Sequence, residues 1–303
     1  MSSVAEENSP APNFSHLLPP SWEEEVQRWI RSDIPKFDIG GFVVGDTVRV
    51  AKILGKSPGT LCGKPFVDCI FKFLGCKVTW LREEGDEITE EQAKAKEAVA
   101  HVEGPCRNLL MGERTALNLM ARASGIASRA NRVSKLVRSK GWHGSVAATR
   151  KTTPGFSLVE KYAVLVGGAT THRMDLSNMV MLKDNHVWST GSIAESVKKA
   201  KIAAGHATKV EVECRNLEEA YEAAGAGAEI VMLDNFGPEK LKQDAAIFKE
   251  KYPHVIVEAS GGITIDTICS YISPHVDVVS QGSLTQGYAA VDFSMKLPRP
   301  EGM

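Results

Sequence analysis

The sequence predicts an α/β protein whose larger part is an incomplete parallel barrel, and three observations carry that expectation. Six short apolar runs follow one another in the second half: SVAATRK (145–151), MVMLKD (179–184), VEVEC (210–214), IVMLDN (230–235), VIVEASGG (255–262) and VDVVSQG (276–282). Continuous Val, Ile and Met stretches of this length read as strands buried on both faces. Helical patterns such as GSIAESVKKAKIAAG and NLEEAYEAAGAG lie between most of them, and alternating strand and helix implies right-handed crossovers into a parallel sheet. Residues 145–290 are too few for a full eight-unit barrel, which typically takes ~250, so six strands with room for one more are expected.

Ahead of the barrel the elements read in order. Ser21 followed by Glu24 and the apolar positions Trp22, Val26, Trp29 and Ile30 suggests a capping box opening a first helix. TVRVAKIL (47–54) alternates like a strand, and SPGT makes a turn after it. PFVDCIFKFLG reads as a helix ended by Gly75. CKVTWL and AKEAVAHVEG read as strands around a charged turn, REEGDEITEEQ. The first hundred residues therefore suggest a small mixed sheet with one helix on a face. Nothing in them has catalytic spacing, so a lid or dimerisation role is expected. Gly104-Pro105 opens a long helical stretch, LLMGERTALNLMARASGIASRANRVSKLVRS, with a break expected near Gly125. Its Leu and Met residues are core positions, and Arg114 and Arg122 read as solvated face residues when taken alone.

Composition narrows the function classes. At 303 residues with 24% charged and 43% hydrophobic residues, the chain is an ordinary globular protein of one large or two smaller domains. A net charge of −1 gives no global pull toward nucleic acid or an anionic membrane, so any anion binding must come from local clustering. No apolar run approaches the ~20 residues that span a bilayer. The first twenty residues carry Glu6, Glu7 and four prolines without an apolar core, which argues for a disordered tail and against a secretory signal. The six cysteines (Cys62, Cys69, Cys76, Cys106, Cys214, Cys269) form no C-x-x-C pair, and reduced buried thiols and a cytoplasmic location are expected.

Each apolar run ends on a polar or small residue, and in a barrel the C-terminal strand ends share one mouth. That mouth would gather Arg150, Lys151, Lys183, Glu213, Asp234, Ser260 and Gly282. In TRKTTPG (149–155), adjacent cations beside a glycine turn can hold phosphate or carboxylate oxygens, provided the strand is already ending; otherwise alternation sends them to opposite faces. The bland alternative is a basic loop with no ligand. In GGATTHRMDL (167–176), His172 alone would suit a structural role, but the adjacent Arg173 offers a fork that fits a planar carboxylate. Lys183 follows a buried run, a costly position unless an anion accompanies it. Glu213 and Asp234 end consecutive strands; they can bind Mg²⁺ or sugar hydroxyls, or simply neutralise Lys151 and Lys183 in a structural ion-pair net. ASGGI (259–263) and SQGSLT (280–285) are glycine-rich turns after the last two strands, where barrels commonly cradle phosphate.

Together TRKTTPG, EKYAVLVGG, HRMDL, MLKDNH, VEVE, LDN and EASGGI, with GERTALN (112–118) on the long helix, closely resemble the decarboxylating quinolinate phosphoribosyltransferases of NAD synthesis, the vertebrate-type members most of all. The resemblance runs from about Trp22 to about Phe293. It implies an N-terminal open-faced α/β sandwich and a C-terminal open α/β barrel of about six or seven strands. The division is then a tail over 1–20, an N-terminal domain over 21–115, and a barrel domain with a C-terminal tail over 116–303. The implied glycosyl transfer joins quinolinate to 5-phosphoribosyl-1-pyrophosphate, giving nicotinate mononucleotide, pyrophosphate and CO₂ with substrate-associated Mg²⁺ and no organic cofactor. By motif, Arg150, Lys151, His172 and Arg173 would bind quinolinate's carboxylates and neighbouring phosphate oxygens, with Lys183 adding to that wall and Lys151, Lys183, Glu213 and Asp234 counted as catalytic. Glu213 and Asp234 would face the ribose hydroxyls and Mg²⁺, directly or through substrate or water. Ser260, Gly261, Gly262 and Gly282 would hold the 5-phosphate. Arg114 falls where the family lends an arginine across a homodimer interface, in dimers or hexamers. One departure is visible: Ser157 stands where members usually carry an arginine, so it is left out of the site.

Three competing readings predict different things. A sister enzyme using the monocarboxylate nicotinate would need fewer cations facing the base. A silent barrel scaffold would leave gaps in the polar strand-end series, and there are none. A phosphate-sugar aldolase or isomerase barrel would not need this many arginines.

Overall fold

The computed structural model describes residues 12–299, which form two compact units: residues up to 121 together with those from 291 onward, and residues 122–290. No helix among the described residues is long and apolar enough to cross a membrane.

In the first unit, α1 (Trp22–Asp33) places Glu23, Glu24 and Glu25 in its first turn, where the helix dipole favours them, and buries Val26 and Ile30. The Ser21 side chain makes no cap hydrogen bond, so the expected capping box is not formed. A short helix α2 (Ile39–Val44) follows, held by the Asp38 carboxylate accepting the Gly41 N–H at 2.9 Å. Next come β1 (Val48–Gly55), β2 (Gly59–Thr60), α3 (Lys64–Phe73) and β3 (Lys77–Trp80). The charged stretch read as a turn contains β4 (Glu87–Ile88), paired with β2, and α4 (Glu90–Ala95), opened by a Thr89–Gln92 capping box. The core of the unit is α3, which buries Phe66, Val67, Ile70 and Phe71, together with the inner face of β1 and β5 (Ala98–Pro105).

The expected mixed sheet is corrected to an antiparallel one. Every hydrogen-bonded pair in it is antiparallel, because β5 runs between β1 and β3 and opposite to both. α3 is thus the crossover joining two like-directed strands that do not touch. The domain limits also differ from expectation. The first unit extends to Ala121, and the segment expected as a C-terminal tail of the barrel returns to it as a strand, Phe293–Lys296, paired with β1. Its buried Phe293 and Met295 alternate with Ser294 and Lys296, which seats it as an edge strand. Of the expected N-terminal tail, residues 1–11 lie outside the described residues, while Phe14–Leu17 form a 3₁₀ turn capped by Asn13.

Helix α5 (Cys106–Arg138) is a single helix of 33 residues, with no break at Gly125. A Cβ at that position would lie 2.4 Å from the carbonyl oxygen of Ala289 and 2.9 Å from the Tyr288 ring. The glycine serves close approach of backbone to helix, and its helix penalty of ~1 kcal/mol is absorbed by a long, well-buried neighbourhood.

The second unit realises all six expected strands: β6 (Ser145–Ala148), β7 (Val180–Leu182), β8 (Val210–Cys214), β9 (Ile230–Asp234), β10 (Ile256–Ser260) and β11 (Val278–Gln281). All pairs are parallel, in the order β6-β11-β10-β9-β8-β7, which leaves β6 and β7 as the two edges. The room left for one more strand is taken by one residue: Thr170 forms a parallel bridge to Ala147 on the outer side of β6. Between the strands lie α6 (Ser157–Val166), α7 (Asp184–Thr190), α8 (Ile193–Ala204), α9 (Leu217–Gly225), α10 (Pro238–Lys251) and α11 (Ile268–Tyr271). The Ser192 and Asn216 side chains cap α8 and α9, and Pro238 opens α10, as N-terminal signals in the sequence require. The final element is β12, the Phe293–Lys296 strand of the first unit.

Candidate functional site

A cleft of about 820 Å³ opens at the C-terminal ends of the barrel strands. It is lined by Arg150, Lys151, His172, Arg173, Lys183, Glu213, Asp234, Ser260, Gly261, Gly262 and Gly282, so every expected site residue of the second unit converges there. Arg150 and Lys151 both face it because β6 ends at Ala148, which releases the next residues from strand alternation. Arg114 lies on α5 in the first unit, exposed, with no side-chain partner among the described residues. Ser157 is the first residue of α6 and does not line the cleft.

Small residues are required where they occur. Gly261 has φ +101°, and a Cβ there would fall 2.4 Å from Asn235 Oδ1. A Cβ on Gly282 would meet the Lys151 side chain at 2.8 Å. These two turns leave backbone N–H groups and the Ser260 hydroxyl as the donors on that wall, a composition suited to phosphate.

The charged wall is organised in pairs. Lys183 Nζ donates to Glu213 Oε2 at 2.5 Å, with the lysine half-exposed and the carboxylate mostly covered. Asp234 accepts from the Asn235 side chain, and Asn235 takes a left-handed backbone (φ +58°) that swings its own side chain back to the carboxylate. Burial and the neighbouring Glu213 raise the Asp234 carboxyl above the usual range, while Lys183, Ser260 and Lys151 pull against them. On the opposite side, burial and the nearby Arg150 lower the Arg173 guanidinium, whose N–H groups reach the Met179 carbonyl at 3.3 Å. Arg150 and Arg173 repel one another, and an anion seated between them would relieve that repulsion.

One layer below the mouth lies a cluster that the sequence reading did not pick out. Alternation along β8 puts Glu211 on the same face as Glu213, and along β10 it puts Glu258 on the same face as Ser260. Glu211 and Glu258 are buried, and the polar ligand atoms of His172, Glu211 and Glu258 lie within 4.8 Å of one another. His172 Nε2–H donates to Glu258 Oε2 at 2.9 Å and stands 3.7 Å from Glu211 Oε2. His172 itself is held at φ +53°, a strained conformation for a residue with a side chain. Burial first, then the Glu258 charge, pushes the Glu211 carboxyl up to about 9. The parity of VEVEC and VIVEASGG was a usable signal for both carboxylates.

A stability prediction arises here. In the fold Glu211 keeps its proton, whereas in the unfolded chain it loses it near the usual carboxylate pKa. The folded state therefore binds more protons than the unfolded state between that value and about 9, and stability falls as pH rises through this window. Glu211→Gln, which mimics the protonated form, is expected to raise stability at pH 7 by about 1–3 kcal/mol, with the gain shrinking toward pH 4.5. Denaturant titrations at both pH values check it, and an equal or negative change at pH 7 contradicts it.

Sequence comparisons agree with this geometry. The profile of the quinolinate phosphoribosyl transferase N-terminal domain matches residues 38–124, and that of the C-terminal domain matches residues 126–296. The nicotinate-nucleotide pyrophosphorylase (carboxylating) of Dictyostelium discoideum is 48% identical, covering 94% of this chain and 99% of its own length. That of Rattus norvegicus is 51% identical, covering 93% of each. Among solved structures, the nicotinate-nucleotide pyrophosphorylase from Francisella tularensis superposes with a TM-score of 0.83 at 32% identity, over 93% of this chain and 98% of the other.

Proposed function

Because the chain belongs to the quinolinate phosphoribosyl transferase family, we propose that the barrel cleft is where quinolinate and 5-phosphoribosyl-1-pyrophosphate meet, with the roles set out below. The protein is a nicotinate-nucleotide pyrophosphorylase (carboxylating), a phosphoribosyltransferase of NAD biosynthesis. It transfers phosphoribosyl to quinolinate with decarboxylation, giving nicotinate mononucleotide, pyrophosphate and CO₂.

The observation that carries the site reading is the convergence of charge in one cleft. Arg150, Lys151, His172, Arg173 and Lys183 line it together with Glu213 and Asp234. Arg150, Lys151, His172 and Arg173 hold quinolinate's two carboxylates, the guanidinium forks matching planar anions. Ser260, Gly261, Gly262 and Gly282 take the 5-phosphate. As the ring nitrogen attacks the ribose and pyrophosphate leaves, positive charge grows on the sugar, and Glu213 and Asp234 stabilise it. Lys183, poised on Glu213, and Lys151 offset the charge of the departing group. The ribosylated nitrogen is then cationic, and it accepts the electron pair left on the adjacent carbon when CO₂ departs. That built-in sink makes an organic cofactor unnecessary. Magnesium fits the Glu213–Asp234 pair, whose donors are hard oxygens close enough for Glu213 to perturb Asp234; bound there, directly or through substrate or water, it would neutralise pyrophosphate charge.

A homodimer, alone or within a hexamer, and a cytoplasmic location belong to the same reading. Phe37, Ile39, Phe42, Val43, Val48 and Val50 of the first unit, close in sequence, are all exposed, and apolar side chains of this kind suit contact with a second copy of the chain. Arg114 would enter the site of that second copy. The six cysteines form no disulfide, five of them are buried, and reduced thiols suit a reducing compartment.

The test is incubation with quinolinate and 5-phosphoribosyl-1-pyrophosphate, following CO₂ and nicotinate mononucleotide. Quinolinate is expected to be turned over while nicotinate and nicotinamide are poor substrates, because each unmade charge-assisted contact costs about 1.5–3 kcal/mol. Comparable kcat/KM for nicotinate would overturn the two-carboxylate assignment.

A further inference from the structure

Lys161 is the one fully buried lysine of the barrel unit, and no step above uses it. It sits on α6, and its ammonium points to backbone oxygens, not to a carboxylate. Nζ donates to the carbonyls of Ala148 at 2.7 Å, Thr149 at 3.0 Å and Arg173 at 3.3 Å, and to that of Thr171. Three N–H groups are thus shared among four acceptors, two from the end of β6 and two from the loop carrying His172 and Arg173. The two segments flank α6 in the chain, one before it and one after it, and the ammonium ties them at one point. The preceding residue completes the clamp. Glu160, also buried, accepts the Thr153 N–H at 2.9 Å and the Thr153 hydroxyl at 2.8 Å. Consecutive residues of one helix therefore fix both ends of the segment 149–153 that presents Arg150 and Lys151.

We propose that Lys161 is a positioning residue for quinolinate: it locks the Arg150–Lys151 strand end and the His172–Arg173 loop into one carboxylate-binding wall. The inference rests on the assignment of those four residues to quinolinate. A buried ammonium is costly unless its donors are satisfied, and carbonyls that lose it are left without a partner, so the arrangement is held from both sides. The lysine also sets the charge beneath the wall. Burial, and then the Arg150 charge, bring its pKa down to about 8, with Glu160 opposing and Arg173 adding to the decrease. The ammonium still predominates at neutral pH.

The experiment measures dissociation constants for quinolinate and for 5-phosphoribosyl-1-pyrophosphate on Lys161→Met, by calorimetry, alongside its melting temperature. The quinolinate constant is expected to rise on the order of 10- to 100-fold, as loss of ångström-scale placement does, while the phosphoribosyl donor's constant changes less than about twofold. Equal shifts in both constants, or a lower melting temperature with neither shifted, would make Lys161 a purely structural residue. If the single variant does not fold, Lys161→Met/Glu160→Gln, which also removes the buried charge left behind, takes its place with the same expectation. Failure of both to fold assigns the lysine to fold maintenance and overturns the proposal. Arg173→Ala is run in parallel. Should it bind quinolinate normally, the site assignment has failed; should it lose binding while Lys161→Met retains it, only this inference has failed.

Discussion

Asp234→Ala and Glu213→Ala are each expected to lower kcat by about 10²–10³ while leaving the KM for quinolinate within about twofold. The expectation follows from where the two carboxylates stand. They stand at the C-terminal ends of neighbouring strands β8 and β9 and share the cleft with the turns that carry Gly261, Gly262 and Gly282. In the proposed reaction their partner is the sugar as it gains positive charge, a charge absent from the ground state, so the loss is expected to fall on kcat. Asp234 gives the cleaner result, since its hydrogen-bond partner Asn235 is a neutral neighbour. Removing Glu213 also frees the Lys183 ammonium, which loses its 2.5 Å partner inside a cationic cleft. A combined stability and activity loss is therefore expected at Glu213, and Glu213→Gln separates the two by keeping the volume and one acceptor. Steady-state kinetics with each substrate varied, together with thermal melts, check this. If both alanine variants unfold with no selective kinetic change, the carboxylates belong to a structural ion-pair net with Lys183 and Lys151.

Mixing Arg114→Ala with Lys151→Ala, each nearly inactive alone, is expected to restore activity. Arg114 is exposed on the first unit and has no side-chain partner among the described residues, whereas every other proposed ligand lines the barrel cleft. If one subunit's Arg114 serves its neighbour's cleft, an isologous dimer holds two composite sites. A hybrid dimer then carries one site with both lesions and one with none. An equal mixture at exchange equilibrium should recover about a quarter of native specific activity, since about half the dimers are hybrids with one intact site each. Subunit exchange is verified with differently tagged chains. No recovery despite exchange would place Arg114 in its own chain's site or outside any site.

The parts of the molecule that were legible in the sequence are those where one physical constraint dominates. The barrel strands are buried on both faces, so VML, VEVEC and IVMLD can be little else, and Lys183, Glu213 and Asp234, at or next to their C-terminal ends, line the mouth. Where two constraints compete, the reading went astray. Gly40 and Gly41 argue against α2, yet the Asp38 cap holds it. Gly125 suggests a break in α5, but packing against Ala289 and Ala290 demanded a residue without a side chain there. Lys161 and Glu160 sit in an apolar helix, where a charged pair looks like a solvated edge until the carbonyls it binds are known. Glu211 and Glu258 lie two residues before Glu213 and Ser260, inside apolar runs whose polar ends carry the stronger signal. The outer edge of the small sheet depends on a strand about 240 residues away from its partner, Lys52 pairing with Lys296, a separation no local pattern reveals.

That last pairing has a consequence for how the chain is made. The first unit is discontinuous: β1 gains its outer neighbour only after the whole barrel, residues 122–290, has left the ribosome. At ~5–20 residues per second, that interval lasts on the order of 10–30 s. During it β1 is an open edge, with a row of amide and carbonyl groups available to any other strand. Two features of the pairing read as protection for that period. Lys52 points outward from the middle of the waiting edge, and its eventual partner in register is Lys296, so the finished ladder carries like charges opposite one another. A small loss of stability in the completed sheet is thus set against protection of a nascent strand from pairing with a neighbouring chain. Deleting residues from 291 onward would make that exposed interval permanent, and such a chain is expected to aggregate through β1 even though its barrel retains every strand.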